Sequence, residues 1–583
     1  MAGTGRGTAA RGLPLGVRLM RRISGRGLPR PACPVAVEHA IEVPAADGVI
    51  LLTDHYMPLT SAPAPTLLVR TPYGRGFPWD FLYGALFAGH GFHVVIQSCR
   101  GTGGSGGSGP EYEPCRSERA DGQAAVAWLR RQPWFSGTLG TIGSSYLGYV
   151  QWALAADPPP ELAAMVVQNG VHDLYGLLFP GGAFALEDAL NAVASLSMDR
   201  GFGWFLLAML RLLRHHRRTA RVLPLLDAYP PALGGRVGWF EEWLRHPDPG
   251  DQFWQGLDAG AAADGLKVPT SLVTGWYDIC LDQTLTQYHR LVAAGCEVSL
   301  LIGCWTHTSG FSADLPVTFG DALAWLRAHL CGDGDAPAQP VRVQVGGSRG
   351  QWRDLPSWPP QTITRHWYLH PAGRLASVPV SAVASSAIHY DPAAPTPSAG
   401  GPILNDHTAG VVANNPIESR PDVLTFTSPP LTGDLEVLGP VGVSLQVRAS
   451  GPHFDVFARL CDVDQRGRSH NVCDGLIRHR PGGGAPGHGE AGGGAVTVPL
   501  SSTAYRFAAG HRLRLQVSGG AHPRFARNTG TGEPPATATR LASVDIEILH
   551  GAEWPGSLSL PVAAEDYSAS STAPVSAHAA PSA

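Results

Sequence analysis

A mostly parallel α/β sheet, interrupted by a helical insert and followed by an all-β domain, is the fold class this sequence predicts. Three observations carry that reading. Between about 35 and 175, short apolar runs ending in glycine or a polar residue alternate with helical stretches, as buried strands with covering helices do. Residues 176–262 are rich in Leu, Trp, Phe and Arg at helical spacing and hold no clear strand. From 336 onward, many short runs alternate in period two between Gly and Pro turns, which is the pattern of a sandwich or jelly roll. A chain of 583 residues is too long for one hydrophobic core, so two to four domains are expected.

Residues 1–34 are arginine-rich without a continuous apolar stretch and read as a disordered basic leader, not a signal peptide. In the segment 35–175, VEHAIEV and VILLTDHYM are strands about the Asp47-Gly48 turn. TLLVRTPYG, FHVVIQSC and LGTIGSS are further strands, and DGQAAVAWLRRQPW is helical. The longest apolar run of the 176–262 insert, FGWFLLAMLRLLR at 202–214, is broken by arginines and is too short to cross a bilayer. Over 263–335 the strand pattern resumes in PTSLVTGWYD and EVSLLIGCWTH and closes with the helix ALAWLRAHL. The β-domain spans 336–563, with a floppy glycine-rich loop at 481–495 and a disordered tail at 564–583.

The composition removes several function classes. A net charge of −4 leaves no basic footprint for nucleic acid. Lys267 is the only lysine and lies in GLKVPT, at the entry to a strand, whereas P-loops, Schiff bases and Ser-Lys dyads all need a placed lysine. The nine cysteines are odd in number and scattered, with no CxxC pair, and no HExxH occurs. That favours free thiols in a reducing compartment over disulfides or zinc. The expectation is a soluble, cytoplasmic protein without a metal, contacting neither nucleic acid nor membrane.

The stretch GTIGSSYLGY at 140–149 runs from a strand through a turn into a helix. Such an elbow lifts a serine hydroxyl above the sheet beside a helix N-terminus. Around Ser145 the spacing is G-x-S-x-x-G, with Gly143 and Gly148 relieving the crowding; around Ser144 it is less favourable. A plain glycine bend with two capping serines is the other reading. The order Ser, then acid, then His is completed by Asp278 and His307, both just beyond strand ends, with Asp282 competing for the acid role. In that reading Asp278 fixes the imidazole and His307 shuttles the proton of Ser145. The amide of Tyr146 and the phenol of Tyr73 are the candidate donors of an oxyanion hole, with Tyr73 as a tyrosine packed at the sheet edge the other reading.

These residues carry a resemblance. RTPYGR (70–75), QSCRGTGGSGG (97–107), GSSYLG (143–148), GWYD (275–278), CWTH (304–307) and the late VLTFTSPPLTGDLEVLGPVGVSLQV and FAAGHRLRLQVSG resemble the CocE/NonD hydrolases, which include X-Pro dipeptidyl-peptidases. The resemblance implies an α/β-hydrolase domain with a helical cap and a C-terminal jelly roll. It also implies a triad of Ser145, Asp278 and His307, with Tyr73 and Tyr146 in the hole, and needs no cofactor. Expected reaction and substrate are acyl transfer through an acyl-enzyme from a small ester, with short X-Pro peptides as the alternative. A homodimer is allowed for. Trp276 and Trp305, flanking the triad, and Phe179, Phe184 and Trp204, from the insert, are candidate pocket liners, or else core. Glu187, Asp188 and Asp199 could hold a substrate ammonium, or else form a solvated face. A silent scaffold whose jelly roll binds carbohydrate or protein is the alternative of another class. One departure stands out: Ser98 replaces the aspartate that many relatives carry two residues before the arginine, so an altered ion pair is expected at Arg100.

Overall fold

The main sheet is built from strands whose apolar residues alternate between two cores. The protein is described here by a computed structural model covering residues 11–12, 27–108, 112–334, 338–347, 350–381, 383–481, 493–553 and 555–563. Most of the basic leader, the glycine-rich loop from 482 to 492 and the tail from 564 lie outside the described residues. In chain order the sheet contains β1 (Val35–Pro44), β2 (Ile50–Pro58), β3 (Thr66–Thr71), β4 (His93–Ser98), β5 (Leu139–Ser144), β6 (Leu162–Gln168), β7 (Thr270–Tyr277), β8 (Val298–Thr306), β9 (Val341–Gly347) and β10 (Gln351–Leu355). The longer helices that follow or interrupt it are α1 (Glu118–Leu129), α2 (Tyr146–Ala155), α3 (Leu186–Leu196), α4 (Phe202–Arg221), α5 (Leu281–Ala293) and α6 (Leu315–Leu326).

The pairings give the spatial order β1-β2-β4-β3-β5-β6-β7-β8-β9-β10, parallel from β4 to β9 and antiparallel at both edges. β3, β5 and β7 are buried along their whole length, as a sheet covered on both faces requires. Leu68, Val95 and Val167 enter one core with Val126, Trp152 and Leu285 from α1, α2 and α5. Their neighbours Leu67, Val94 and Val166 enter the opposite core with Phe319 and Leu326 of α6. The chain leaves β3 for β4 on one side and returns to place β5 on the other. Such a reversal opens a crevice at the carboxyl ends of the strands.

Between β6 and β7 lie α3, α4 and shorter helices, gathered on a separate core that includes Phe184, Leu190, Tyr229, Phe240 and Trp243. Beyond β10 the chain is all-β. One antiparallel layer joins Val423–Thr427, Arg512–Ser518, Phe454–Val463 and Ser469–His479. The other centres on Leu435–Ala449, paired with Gly493–Phe507, Val544–His550 and Ser557–Ala563. Residues 341–355, at the start of the stretch read as the β-domain, extend the main sheet as β9 and β10, and the end of β9 also pairs with Gly493–Phe507 of the β-domain. The buried face of β9, Val341, Val343 and Val345, packs into the core of α5.

Candidate active site

Four segments converge at the carboxyl edge of the sheet. Tyr73 follows β3, Ser145 follows its neighbour β5, Asp278 follows β7 and His307 follows β8. Ser145 sits at φ 60°, ψ −120°, a sparsely populated region for a non-glycine residue that costs roughly 1–3 kcal/mol. The glycines around it show why the turn is possible. A Cβ on Gly143 would lie 2.4 Å from Cβ of Leu147, and one on Gly148 would lie 2.6 Å from Cα of Gly170. Only a backbone without side chains lets α2 approach β5 and β6 so closely. The Ser145 N–H donates to the Gln168 carbonyl at 2.9 Å, which ties the elbow to the end of β6.

The Tyr73 phenol faces Ser145, and burial raises its pKa, so it stays protonated as a donor. Its ring stacks on Trp79 at 5.6 Å. Tyr146 is the first residue of α2, so its N–H has no intrahelical acceptor. Its own phenol donates to Glu118 Oε1 at 2.9 Å and accepts the Cys115 N–H at 2.7 Å. Glu118 in turn pairs with the buried Arg70 at 2.8 Å.

Nδ1 of His307 lies 2.6 Å from Oδ1 of Asp278, and both are buried. Thr274 donates to Oδ2 of Asp278 at 2.7 Å and the Cys280 N–H to Oδ1 at 3.1 Å. Asp282 does not fill this place: it starts α5 and meets Ser501 at 3.3 Å. The side-chain amide of Asn169, at the end of β6, donates to the His307 carbonyl. Burial by itself would lower the His307 pKa; the charge and hydrogen bond of Asp278, with Asp406 and Asp188 beyond, outweigh it and leave it raised. Asp278, Cys280 and His307 are close enough to suggest a metal cluster. However, two ligands on one zinc stand roughly 3.3 Å apart, and the 2.6 Å contact is a hydrogen bond.

The β-domain reaches this edge through residues 404–408. Asp406 accepts from Thr306 at 2.6 Å and from Thr308. The Leu404 N–H donates to Asp188 of α3 at 2.8 Å, and Thr408 meets Glu187 at 3.5 Å. Burial lifts the Asp188 carboxyl to about 7. Of the three insert acids, Asp188 stands near enough to His307 to act on its charge. Asp199 packs instead against the loop of Tyr73, its backbone 3.2 Å from a Cβ on Gly74, and accepts the Gly103 N–H at 3.4 Å.

The expected liners are placed differently. The Trp276 indole donates to the Gln344 carbonyl at 2.7 Å and packs on Trp358 at 5.1 Å, in the core beneath α5. Trp305 donates to Asp314 at 2.8 Å and packs with Val273 and Leu301. Both are spent on joining β7 and β8 to their surroundings. Phe179 and Phe184 are core of the insert, and Trp204 is 53% exposed on α4. Arg100 is not left wanting by Ser98. It pairs with Asp47 and Asp121, each at 2.7 Å, while Ser98 accepts from Arg75 at 2.6 Å. Sequence reasoning missed Asn169 and Asp406. Asn169 ends an apolar run, VVQNG, and that signal was available; Asp406 sits in a loop a hundred residues beyond His307 and gave none.

Residues 47–309 match the family of X-Pro dipeptidyl-peptidase (S15 family), and residues 336–558 match the X-Pro dipeptidyl-peptidase C-terminal non-catalytic domain. The cocaine esterase of a Rhodococcus strain is 31% identical over 577 residues, covering 90% of this chain and 98% of that protein. Among solved structures, an α-amino acid ester hydrolase superposes with a TM-score of 0.77 at 23% identity, covering 92% of this chain and 98% of the other. A CocE/NonD family hydrolase from Staphylococcus aureus superposes at 0.67 with 17% identity, covering 91% and 94%. These two likenesses bear on the fold.

Proposed function

This chain belongs to the CocE/NonD hydrolases with an S15 catalytic domain, and on that premise we propose that it cleaves small acyl esters through an acyl-enzyme on Ser145. It is a serine hydrolase. The observation that carries the assignment of residues is the contact of Asp278 with Nδ1 of His307, at the sheet edge where Ser145 stands at its strained elbow. In the proposed reaction His307 takes the proton of Ser145 as the hydroxyl attacks the carbonyl. Asp278 holds the imidazole tautomer and stabilises its cation. The Tyr73 phenol and the Tyr146 amide receive the oxyanion. His307 then protonates the leaving group, and water attacks the acyl-enzyme along the same path.

An ester is favoured as substrate by the 31% identity to a protein named for ester cleavage. The second reading, release of X-Pro dipeptides, is favoured by Asp188, which acts on His307, and by its neighbour Glu187 on α3, where a substrate ammonium could be held. A reducing, cytoplasmic setting fits the cysteines, none of which is in a disulfide among the described residues.

The test is labelling by a fluorophosphonate, followed by assays on p-nitrophenyl acetate and Ala-Pro-p-nitroanilide. One label per chain is expected, lost in Ser145→Ala, with turnover of the ester. Labelling that persists in Ser145→Ala removes the nucleophile assignment. Turnover of the anilide alone selects the peptidase reading.

A further inference from the structure

A cavity of about 160 Å³ lies at the seam of the helical insert and the β-domain. Pro247 walls it on the insert side, and His453, Arg478, Arg480, Arg527 and Glu533 wall it on the other. None of its lining residues belongs to the segments that carry Tyr73, Ser145, Asp278 or His307, or to the 404–408 loop. Its charges do not balance. Arg478 is buried and neutralised by Asp455, which accepts from it at 2.8 and 2.7 Å. Glu533 is spent on its own turn, accepting from the Arg540 side chain at 2.6 Å and from the Thr539 and Arg540 N–H groups at 3.1 Å. Arg480 and Arg527 are left with carbonyls. Arg480 donates to Gly182 at 3.0 Å, and Arg527 donates to Pro392 at 2.9 Å and to Ala220 at 2.6 Å. Among the described residues neither guanidinium pairs with a carboxylate. Burial and the like charge of Arg478 lower the Arg480 pKa, outweighing Tyr175, Asp455 and Asp248. Burial lowers that of Arg527, and burial with the charge of Arg480 lowers that of His453. An arginine does not shed its proton, so positive charge stands half-buried here at a cost that an anion would relieve.

We propose that this cavity binds a tetrahedral oxyanion of the phosphate type, held between Arg480 and Arg527. The planar fork of a guanidinium matches phosphate oxygens two at a time, and the carbonyl contacts leave most N–H donors of the two arginines for that use. Size narrows the ligand. The cavity is close to the roughly 150 Å³ that accepts one benzene-sized guest and well below the roughly 300 Å³ at which pockets for larger organic ligands begin. It therefore takes a phosphate group and excludes a nucleotide. The placement gives the ion a physical effect. Both arginines belong to the β-domain, while Gly182 and Ala220, which accept from them, belong to the insert. An anion that neutralises the pair removes their mutual repulsion and secures this seam, so binding stabilises the folded chain.

The full chain is to be titrated with inorganic phosphate by calorimetry at pH 8, with sodium chloride holding the ionic strength fixed. One ion per chain is expected, with a melting temperature that rises and saturates as phosphate is added; no binding heat and no rise overturn the proposal. Sulfate is expected to compete and acetate is not; acetate that binds as tightly as phosphate overturns the tetrahedral class. Arg480→Gln gives up a single carbonyl contact and is expected to weaken phosphate binding by about tenfold or more. Its melting temperature without phosphate is expected to hold or rise, because a like charge has gone, while the rise with phosphate is lost. A residue that only packs the seam would lower the first and leave the second. Arg527→Gln is the second variant, with the same loss of affinity expected; phosphate binding unchanged in both overturns the location. Glycerol 2-phosphate carries the same head on a larger body. Binding as tight as that of the free ion assigns the head of a phosphate monoester, and lost binding assigns the free ion; either keeps the site.

Discussion

At Ser145 the left-handed φ and the facing phenol of Tyr73 meet in one residue. Strain alone does not make a nucleophile; a donor waiting where the oxyanion will form adds the chemical reason. Tyr73→Phe keeps the stack on Trp79 and removes the phenol, so kcat is expected to fall by about 10²–10³ with KM little changed; steady-state kinetics that match the wild type would take Tyr73 out of the hole. In the proposed reaction His307 carries the pH dependence. Its pKa is raised, and Asp406 is one of the charges holding it there. The base must be neutral to accept a proton, so kcat/KM is expected to climb through an acid limb set above the ordinary histidine range. Asp406→Asn keeps an acceptor for Thr306 and removes the charge, and the limb is expected to move to lower pH. A limb that stays, or moves up, contradicts the electrostatic account. The core of the candidate site was legible because each residue sits at the end of its own apolar run: Ser145 after LGTIGS, Asp278 after SLVTGWY, His307 after VSLLIGCWT. The direction in which Trp276 points was not legible, because it is decided by Trp358 and Gln344, residues far along the chain that only the fold brings near.

At the scale of elements, β2 and β4 share a feature unrelated to the proposed chemistry. His55 of β2 and His93 of β4 meet at 2.9 Å, and His55 stacks on Trp134 at 3.9 Å. Burial lowers His55 to about 3 and His93 to about 4. Groups lowered below the ordinary histidine value are neutral in the fold and protonated in the unfolded chain at mild acid. Their contribution is therefore complete above about pH 6.5 and is lost as the pH falls from there toward 4. For His55 the loss at pH 5 is about 2 kcal/mol; for the more exposed His93 it is smaller. His55→Gln is expected to flatten the fall of melting temperature between pH 7 and 5, whatever its effect at pH 8. An equally steep fall in the variant would place the acid sensitivity elsewhere. The strands themselves were readable wherever both faces are buried, as in TLLVRT, because a continuous apolar run leaves little choice. β9 was not assignable to its sheet. VRVQVGG alternates as a half-buried strand does, and nothing in seven residues tells which sheet its buried face will join.

For the whole molecule, the comparison names the C-terminal domain non-catalytic, yet its 404–408 loop touches both the helical insert and the His307 segment. Three separate stretches of chain thus meet over one carboxylate–imidazole pair. Arg524 of the β-domain, paired with Asp474 at 2.6 Å, also lowers the pKa of Asp188 against the burial that raises it. In the proposed reaction a domain packed this way has a physical part even without contributing a group: it is expected to exclude water and to fix the field around His307. Replacing residues 404–408 by two glycines removes the wall while leaving β5, β7 and β8 and their cores in place. Fluorophosphonate labelling of Ser145 is expected to survive, since the nucleophile and its elbow belong to the main sheet. Turnover of p-nitrophenyl acetate is expected to drop by about tenfold or more, as for loss of a positioning contact, with the acid limb moved down because Asp406 is gone. If the shortened chain keeps full kcat/KM and an unchanged limb, the β-domain is packing alone, and the site is complete within the sheet and its insert.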